Sequence, residues 1–376
     1  MRRRSSSGLI FALLLTVSCL DKYDLPVGAA NSNVLVVDGY INTTAKVATV
    51  KLSRSTSLAD KSAFPPEMGA LVMVESDDGG KATLFETRPG IYELTNFSTP
   101  GDRRYNLYIR TMIGAEFRSE PIQLTQAPPI DSVSWKPGET GVTIYVNTHD
   151  STGKTRYYKW SFMETWEYTS KFVSMFKLEG GAAVLRKPDE YIYRCWKSEY
   201  STQIILGTSA QLSQDVIRER PITFHDRGAQ KLSRRYRLLV QQRALTEEAY
   251  NFWNLLENTT ENLGGLFDPL PARVSGNLYS VNNINEPVLG FFDGGTVQEK
   301  VIYINFADLP EYLLYNPPST CVADSIRVNE LAQLPPATLL GVSYGVPVIL
   351  GYTKATAECL DCRTAGGSTT QPAFWE

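Results

Sequence analysis

Between Tyr158 and Tyr168 the chain places Tyr158, Trp160, Phe162, Glu164, Trp166 and Tyr168 at a strict spacing of two. A period of two belongs to a strand, because successive side chains leave its opposite faces. Five rings and one carboxylate therefore share one face, and that face is read as the wall of a core. The other reading is a platform for sugar rings. Glu164 and Trp166 are the candidate binding or buried-charge positions on the stripe. A carboxylate among rings has its pKa raised if it is buried without a partner, and such a group serves as a general acid in glycosidases. Paired with an arginine it is only structural. Glu167 points to the other face, so the two carboxylates do not form a hydrolytic pair on one strand.

The rest of the chain reads as short strands between turns. Val34-Leu35-Val36-Val37, Val47–Leu52, Ala70–Glu75, Ala82–Phe85, Ile91–Leu94, Tyr105–Ile109 and Ala115–Phe117 are strand candidates. Asp77-Asp78-Gly79-Gly80 suits a hairpin turn, since Asp-Gly and Gly-Gly tolerate positive φ. About seven strands with such turns predict a β-sandwich of immunoglobulin or fibronectin type over 34–127. Pro128-Pro129 then opens a larger β domain over 128–310. One amphipathic helix is expected in it at about 246–263. Thr246 is the N-cap, Glu247 and Glu248 suit the positive end of the dipole, and Ala249, Phe252, Trp253 and Leu256 form an apolar stripe. Gly264-Gly265 is its expected stop. Residues 311–376 read as a Cys-containing C-terminal tail, with Tyr312, Tyr315 and Trp375 as loop aromatics. The fold class expected is mainly β, with one inserted helix and a disulfide-stapled tail.

The first residues concern destination. Arg2-Arg3-Arg4 precedes an apolar run, Gly8–Leu15, and then Thr16-Val17-Ser18-Cys19. A basic stretch, a short apolar run and small residues before a cut are the parts of a signal peptide. The run is shorter than the roughly 20 residues that cross a bilayer. Cys19 directly after Val-Ser resembles the bacterial lipobox, in which the thiol receives diacylglycerol and becomes the first mature residue. Residues 1–18 are thus read as a lipoprotein signal peptide and 19–33 as lipidated Cys and tether, with membrane attachment through the lipid. The alternative is an ordinary signal peptide with a chance Cys. The acidic and basic residues of Leu20–Asp24 fit a surface-export signal or a solvated tether.

With Cys19 lipidated, Cys195, Cys321, Cys359 and Cys362 remain, and an even count in an oxidising compartment favours disulfides. Cys321 with Cys359 or Cys362 is the favoured pairing, to staple the tail; a four-Cys zinc site is the alternative. A net charge of −3 without a basic run argues against nucleic acid. His149 and His225, the only two histidines, lie in turn-like stretches and read as loop residues. No H-E-x-x-H, G-x-S-x-G, P-loop or G-x-G-x-x-G motif occurs. No catalytic residue, metal site or cofactor is therefore expected beyond the lipid on Cys19, and no enzyme activity.

Several short motifs together resemble a family of Bacteroidota outer-membrane lipoproteins known mainly as a domain of unknown function. They include Val36-Val37-Asp38-Gly39, Val50–Arg54, Pro128–Val133, Glu164–Tyr168, Cys195-Trp196, Gly276–Tyr279, Pro287–Phe292 and Cys359–Arg363. Members are often encoded beside SusC-like TonB-dependent receptors. The resemblance implies an outer-membrane lipoprotein, surface-exposed, serving as a non-enzymatic binding accessory in TonB-dependent nutrient uptake. A glycan-binding or adhesion module is the first alternative, and a hydrolase using a carboxylate such as Glu164 the second.

Overall fold

A computed structural model describes residues 33–55, 65–100, 102–260, 276–283, 285–316, 320–335 and 338–375. The signal peptide, Cys19 and nearly all of the tether lie outside the described residues, as do the last expected helical residues and the Gly264-Gly265 stop. The chain is mainly β. It first forms β1 (Leu35–Asn42), β2 (Val47–Arg54), β3 (Leu71–Ser76), β4 (Lys81–Arg88), β5 (Ile91–Thr95), β6 (Arg104–Arg110), β7 (Glu116–Ser119) and β8 (Ile122–Gln123). Then come β9 (Ile130–Pro137), β10 (Gly141–His149), β11 (Tyr157–Thr169), β12 (Phe176–Glu179), β13 (Ala182–Leu185), β14 (Arg194–Tyr200), β15 (Ile205–Thr208), β16 (Val216–Asp226) and β17 (Arg235–Leu245). Helix α1 (Glu247–Thr260) follows, then β18 (Leu278–Ser280), β19 (Val288–Gly295), β20 (Val297–Asn305), β21 (Asp324–Arg327), β22 (Leu339–Tyr344), β23 (Gly351–Lys354) and the short α2 (Ala357–Leu360).

The first eight strands alternate buried and exposed residues and fold around one core that includes Val37, Val50, Leu107 and Phe117. Their order is β18-β7-β6-β3-β4-β5-β2-β1-β19, with β8 on β6. Strand β4 passes between the two faces by pairing with both β3 and β5. The ends of this order are β18 and β19, which come from far along the chain, inside the 128–310 segment. Strand β19 runs parallel to β1 in continuous register from Leu35–Val288 to Asn42–Gly295. A parallel partner requires a long crossover, and here the crossover contains most of the second sandwich. Strand β19 is buried on both faces, as parallel strands usually are. The Asn277 amide completes the closure: its Nδ2 donates to the Phe292 carbonyl at 2.8 Å, and its Oδ1 accepts from the Phe292 N–H at 2.8 Å.

The second sandwich packs sheet β16-β10-β9 on sheet β14-β11-β17-β20, with β15 also on β11. The aromatic stripe of β11 faces this core: Tyr158, Trp160, Phe162, Trp166 and Tyr168 are all buried in it. Three polar tips of the stripe find partners, Tyr168 donating to the Cys362 carbonyl at 2.8 Å, while Trp166 Nε1 is buried without one among the described residues. Tyr158 donates to Asp215 at 2.7 Å, and Trp160 Nε1 donates to Gln242 Oε1 at 2.9 Å. The Gln242 amide in turn donates to the Pro128 carbonyl at 2.7 Å, which ties the domain junction to the core.

Helix α1 starts as its sequence predicts, with the Ala249 N–H donating to Thr246 Oγ1 at 3.2 Å. Ala249 and Phe252 pack on Leu206, Leu245 and Phe291, with Trp253 and Leu256 at the margin. The C-terminal residues, expected as a tail, form a fourth sheet with a hairpin from the middle of the chain, in order β13-β12-β22-β23-β21. Its core is Ile326, Leu331, Leu340 and Tyr352, the apolar burial that lets strands form where the sequence reads as a tail. Two disulfides are present. Cys321 bonds Cys359, as favoured, and closes a loop within this region. The bond that fastens the region to the second sandwich is Cys195–Cys362. Trp375 is buried rather than presented in a loop, with its ring 5.8 Å from the Arg235 guanidinium.

The β1–β19 seam depends on Gly290, whose φ of +129° and near-contact with Val37 leave no room for a side chain. A Cβ there would stand 1.8 Å from the Val37 carbonyl oxygen. Gly290→Ala is expected to cost more than about 2 kcal/mol, from strain and overlap together. Thermal unfolding checks this; an unchanged melting temperature would show that the parallel pairing does not hold the fold.

Candidate functional site at the seam between the sandwiches

Strands β1 and β19 of the first sandwich meet β11, β17 and α1 of the second. The side chains at this seam are those on the outer faces of β11 and β17, opposite the aromatic stripe. Lys159 leaves β11 between Tyr158 and Trp160 and places its Nζ over the Trp253 ring of α1, 2.8 Å from the centroid. Arg243 leaves β17 and lays its guanidinium over the Tyr40 ring of β1, at 3.7 Å. Asp293 of β19 is buried beside them. Its Oδ1 accepts the Gly294 N–H at 2.7 Å, while Oδ2 accepts no hydrogen bond among the described residues.

Burial sets the electrostatics here. It pushes the Asp293 carboxyl up to about 6, against the lowering effect of the Gly294 N–H, Arg243 and Lys159. It pushes the Lys159 amine down to about 7, against the pull of Asp38 and Asp293. The Tyr40 hydroxyl is raised for the same reason and makes no hydrogen bond among the described residues. Perturbed groups gathered at one place mark a functional candidate, although structural ion networks shift pKa values too. Phe291 and Asp293 are shared with the wall of an open cleft of about 780 Å³ between the first sandwich and α1. That volume lies in the range that takes a small organic ligand. Phe252 and Leu255 line the apolar side of the cleft, and Glu120, Gln123, Glu248 and Asn251 its polar side.

The positions singled out in the sequence lie elsewhere. Glu164 is buried at the far end of the second sandwich, where Lys231 donates to it and the Tyr236 hydroxyl donates to Oε2 at 3.0 Å. His225 Nε2 faces the same oxygen at 3.6 Å. Lys231 also bridges to Glu199 at 2.9 Å and sits 4.6 Å over the Trp166 ring. Glu164 is therefore a partnered carboxylate, with a lysine and a tyrosine in place of the arginine considered. It lacks the isolation that would make it a general acid. Trp166 and the other stripe rings are interior, so they offer no sugar platform. Both histidines stand on strands rather than loops: His149 ends β10 and pairs with Asp131 at 2.8 Å, and His225 is interior to β16. Cys195, Cys321, Cys359 and Cys362 are consumed in disulfides, so no zinc site forms from them.

The seam residues escaped the sequence reading. Two signals pointed to them: Lys159 interrupts an aromatic run, and Asp293 follows Phe291-Phe292 in an otherwise apolar strand. Asp293 is a charge in a strand whose pattern predicts burial, whereas Lys159 falls on the face opposite the stripe and reads there as a surface charge.

A family model described as "Domain of unknown function (DUF4249)" matches residues 21–301. The chain belongs to this family. The DUF4249 match takes in both sandwiches, α1 and every residue of the seam, and ends within β20, before β21–β23. No curated protein matches the chain. Among solved structures it is similar to the adhesin InvE of Yersinia pseudotuberculosis, at 10% identity over 87% of this chain and 76% of that one. The TM-score is 0.17, and the likeness carries no argument about activity.

Two pH dependences follow from this DUF4249 structure. Lys159 has a folded pKa below its unfolded value, so between about 7 and the model-peptide value near 10.4 the unfolded chain binds more protons. Its burial cost is full below that window and fades as pH rises through it. Lys159→Met is expected to raise the melting temperature at about pH 6, with a gain that shrinks toward about pH 9.5. A gain independent of pH would locate the effect in packing instead. His225 is lowered by burial despite Glu164, with Lys231 adding to the depression. Stability it allows at neutral pH is lost as pH falls below about 6.5, where the unfolded chain takes up the proton first. His225→Gln is expected to flatten the fall in melting temperature between about pH 7 and pH 5.5. Parallel curves for the two proteins would exclude His225 as the source.

Proposed function

We propose that this chain is a lipid-anchored outer-membrane protein, held by Cys19, whose body binds a small ligand for a TonB-dependent receptor without chemical change. The observation that carries the binding part is the cleft at the seam: a volume of about 780 Å³ walled by the first sandwich and helix α1, with a buried carboxylate at its inner side. Clefts between domains are where small ligands most often sit. The anchoring part rests on Cys19 after a short apolar run, and the receptor part on the family resemblance. Two or three acyl chains hold a protein at a bilayer far more firmly than one. A tethered body needs only selective binding and docking, since the receptor supplies the energy of import.

The test is a mild-detergent pull-down of the tagged lipoprotein from outer membranes, read by mass spectrometry, beside a Cys19→Ser variant. A TonB-dependent receptor in near-stoichiometric amount, together with release of the variant into the soluble fraction, is the expected result. A lipoprotein that comes down alone would end the uptake reading, and a variant that stays membrane-bound would end the lipid-anchor reading.

A further inference from the structure

The cleft at the seam has a charge pattern that selects among ligands. Asp293 marks its inner side, and Glu120 and Glu248 stand exposed on its walls. The small enclosed space behind Asp293 adds Asp38, Lys159 and Arg243. With Arg104 on the outer wall, four carboxylates face three cationic side chains among the described residues of the two adjoining spaces. The balance is one positive charge short.

Asp293 sharpens the point. The residue is only 6% exposed, yet Oδ2 receives no hydrogen bond among the described residues. Arg243, the nearest guanidinium, is committed to the face of Tyr40 and forms no ion pair with Asp293. Lys159 is committed to Trp253. Asp293 lines the cleft with an acceptor left open on its carboxylate, and a ligand that brings an N–H⁺ supplies the missing donor as a charge-assisted hydrogen bond. The apolar side of the cleft is supplied by Phe252 and Phe291, with ring centroids 5.2 Å apart, and by Leu255. A bare metal ion would want several oxygens around it. An ammonium on an apolar body uses the carboxylate and the carbon wall together.

We infer that the cleft is a site for a small organic monocation, a protonated amine on an aromatic or aliphatic body, with Asp293 as its counter-ion and Glu248 as an outer guide. The inference rests on the reading of the cleft as a ligand site and names the ligand's chemical class. The amine displaces no bond; it supplies a charge-assisted hydrogen bond to Asp293 Oδ2 and screens the carboxylate from Phe291. Glu248 lies in the first turn of α1, where its charge suits the helix dipole and attracts a cation toward the opening.

The experiment is calorimetric titration of the detergent-solubilised full-length protein with three probes of one shape: phenethylammonium, 2-phenylethanol and phenylacetate. At about pH 7.5 phenethylammonium is expected to bind about tenfold tighter than the alcohol, or more, the worth of one charge-assisted hydrogen bond, with phenylacetate weakest. Asp293→Asn, which keeps the shape of the side chain, is expected to abolish the preference for ammonium over alcohol. Glu248→Gln lies on an exposed helix face and is expected to reduce it about threefold, with only the slight fall in melting temperature that loss of a helix-dipole charge brings. The preference also falls toward about pH 5.5, as Asp293 takes up a proton with Arg243, Lys159 and Tyr40 facing it. Equal or stronger binding of the alcohol or the carboxylate overturns the cation assignment and leaves the cleft a ligand site. Binding of none of the three removes the cleft as a small-ligand site, and the binding part of the proposed function with it.

Discussion

The parallel pairing of β1 with β19 is the constraint on which the rest of the molecule depends. Strand β1 is the first of the described chain, and its partner arrives some 250 residues later. Everything between must return the chain to that edge in one register. A slip of one residue would turn β19's apolar faces the wrong way. Gly290 fixes the approach, because only a residue without Cβ fits against Val37. Strand β19 runs directly into β20 of the second sandwich, so the seam is fixed by backbone pairing on one side and by chain continuity on the other, which makes it a rigid place to build a site.

Strands β11 and β17 then do two things at once. Their inner faces carry Trp160, Tyr168, Tyr236 and Leu238 into the second core. Their outer faces carry cations that are met by rings: Lys159 by Trp253, Arg237 by Phe374, Arg243 by Tyr40. Cation–π contacts let a sheet cover its polar side without an equal number of carboxylates. One consequence is that Asp293 stays underpartnered although cations stand near it. The Glu164 cluster shows the opposite solution, with Lys231, Tyr236 and Glu199 closing a network over a buried acid.

The C-terminal sheet is held by different means. Its hydrophobic core is small, with four fully buried residues. Cys195–Cys362 links it to β14, and the Tyr168 hydroxyl donates to the Cys362 carbonyl at 2.8 Å, so the end of the aromatic stripe is also the landing point of the C-terminal region. A small core fastened by cross-links follows the usual relation between size and stability.

The sequence by itself determined what depends on neighbours along the chain. The period of two in β11, the Asp-Gly and Gly-Gly turn after β3, the Thr246 cap and the helical stripe behind it are local patterns with local causes, and each reappears as read. The same logic carried the mainly β class and the use of cysteines in disulfides. What only the tertiary structure decided is whatever joins distant segments. The strand Val288–Gly295 reads as apolar in either sandwich, and only the parallel register assigns it to the first. Four cysteines admit three pairings, and spatial proximity chose among them. Glu164 drew attention because charge within an aromatic stripe is visible in sequence, but its partners Lys231 and Tyr236 are not. Lys159, Arg243 and Asp293 came together for the converse reason. Each looks like an ordinary surface charge until three strands from two sandwiches are packed, and the burial that shifts their pKa values exists only in that packing.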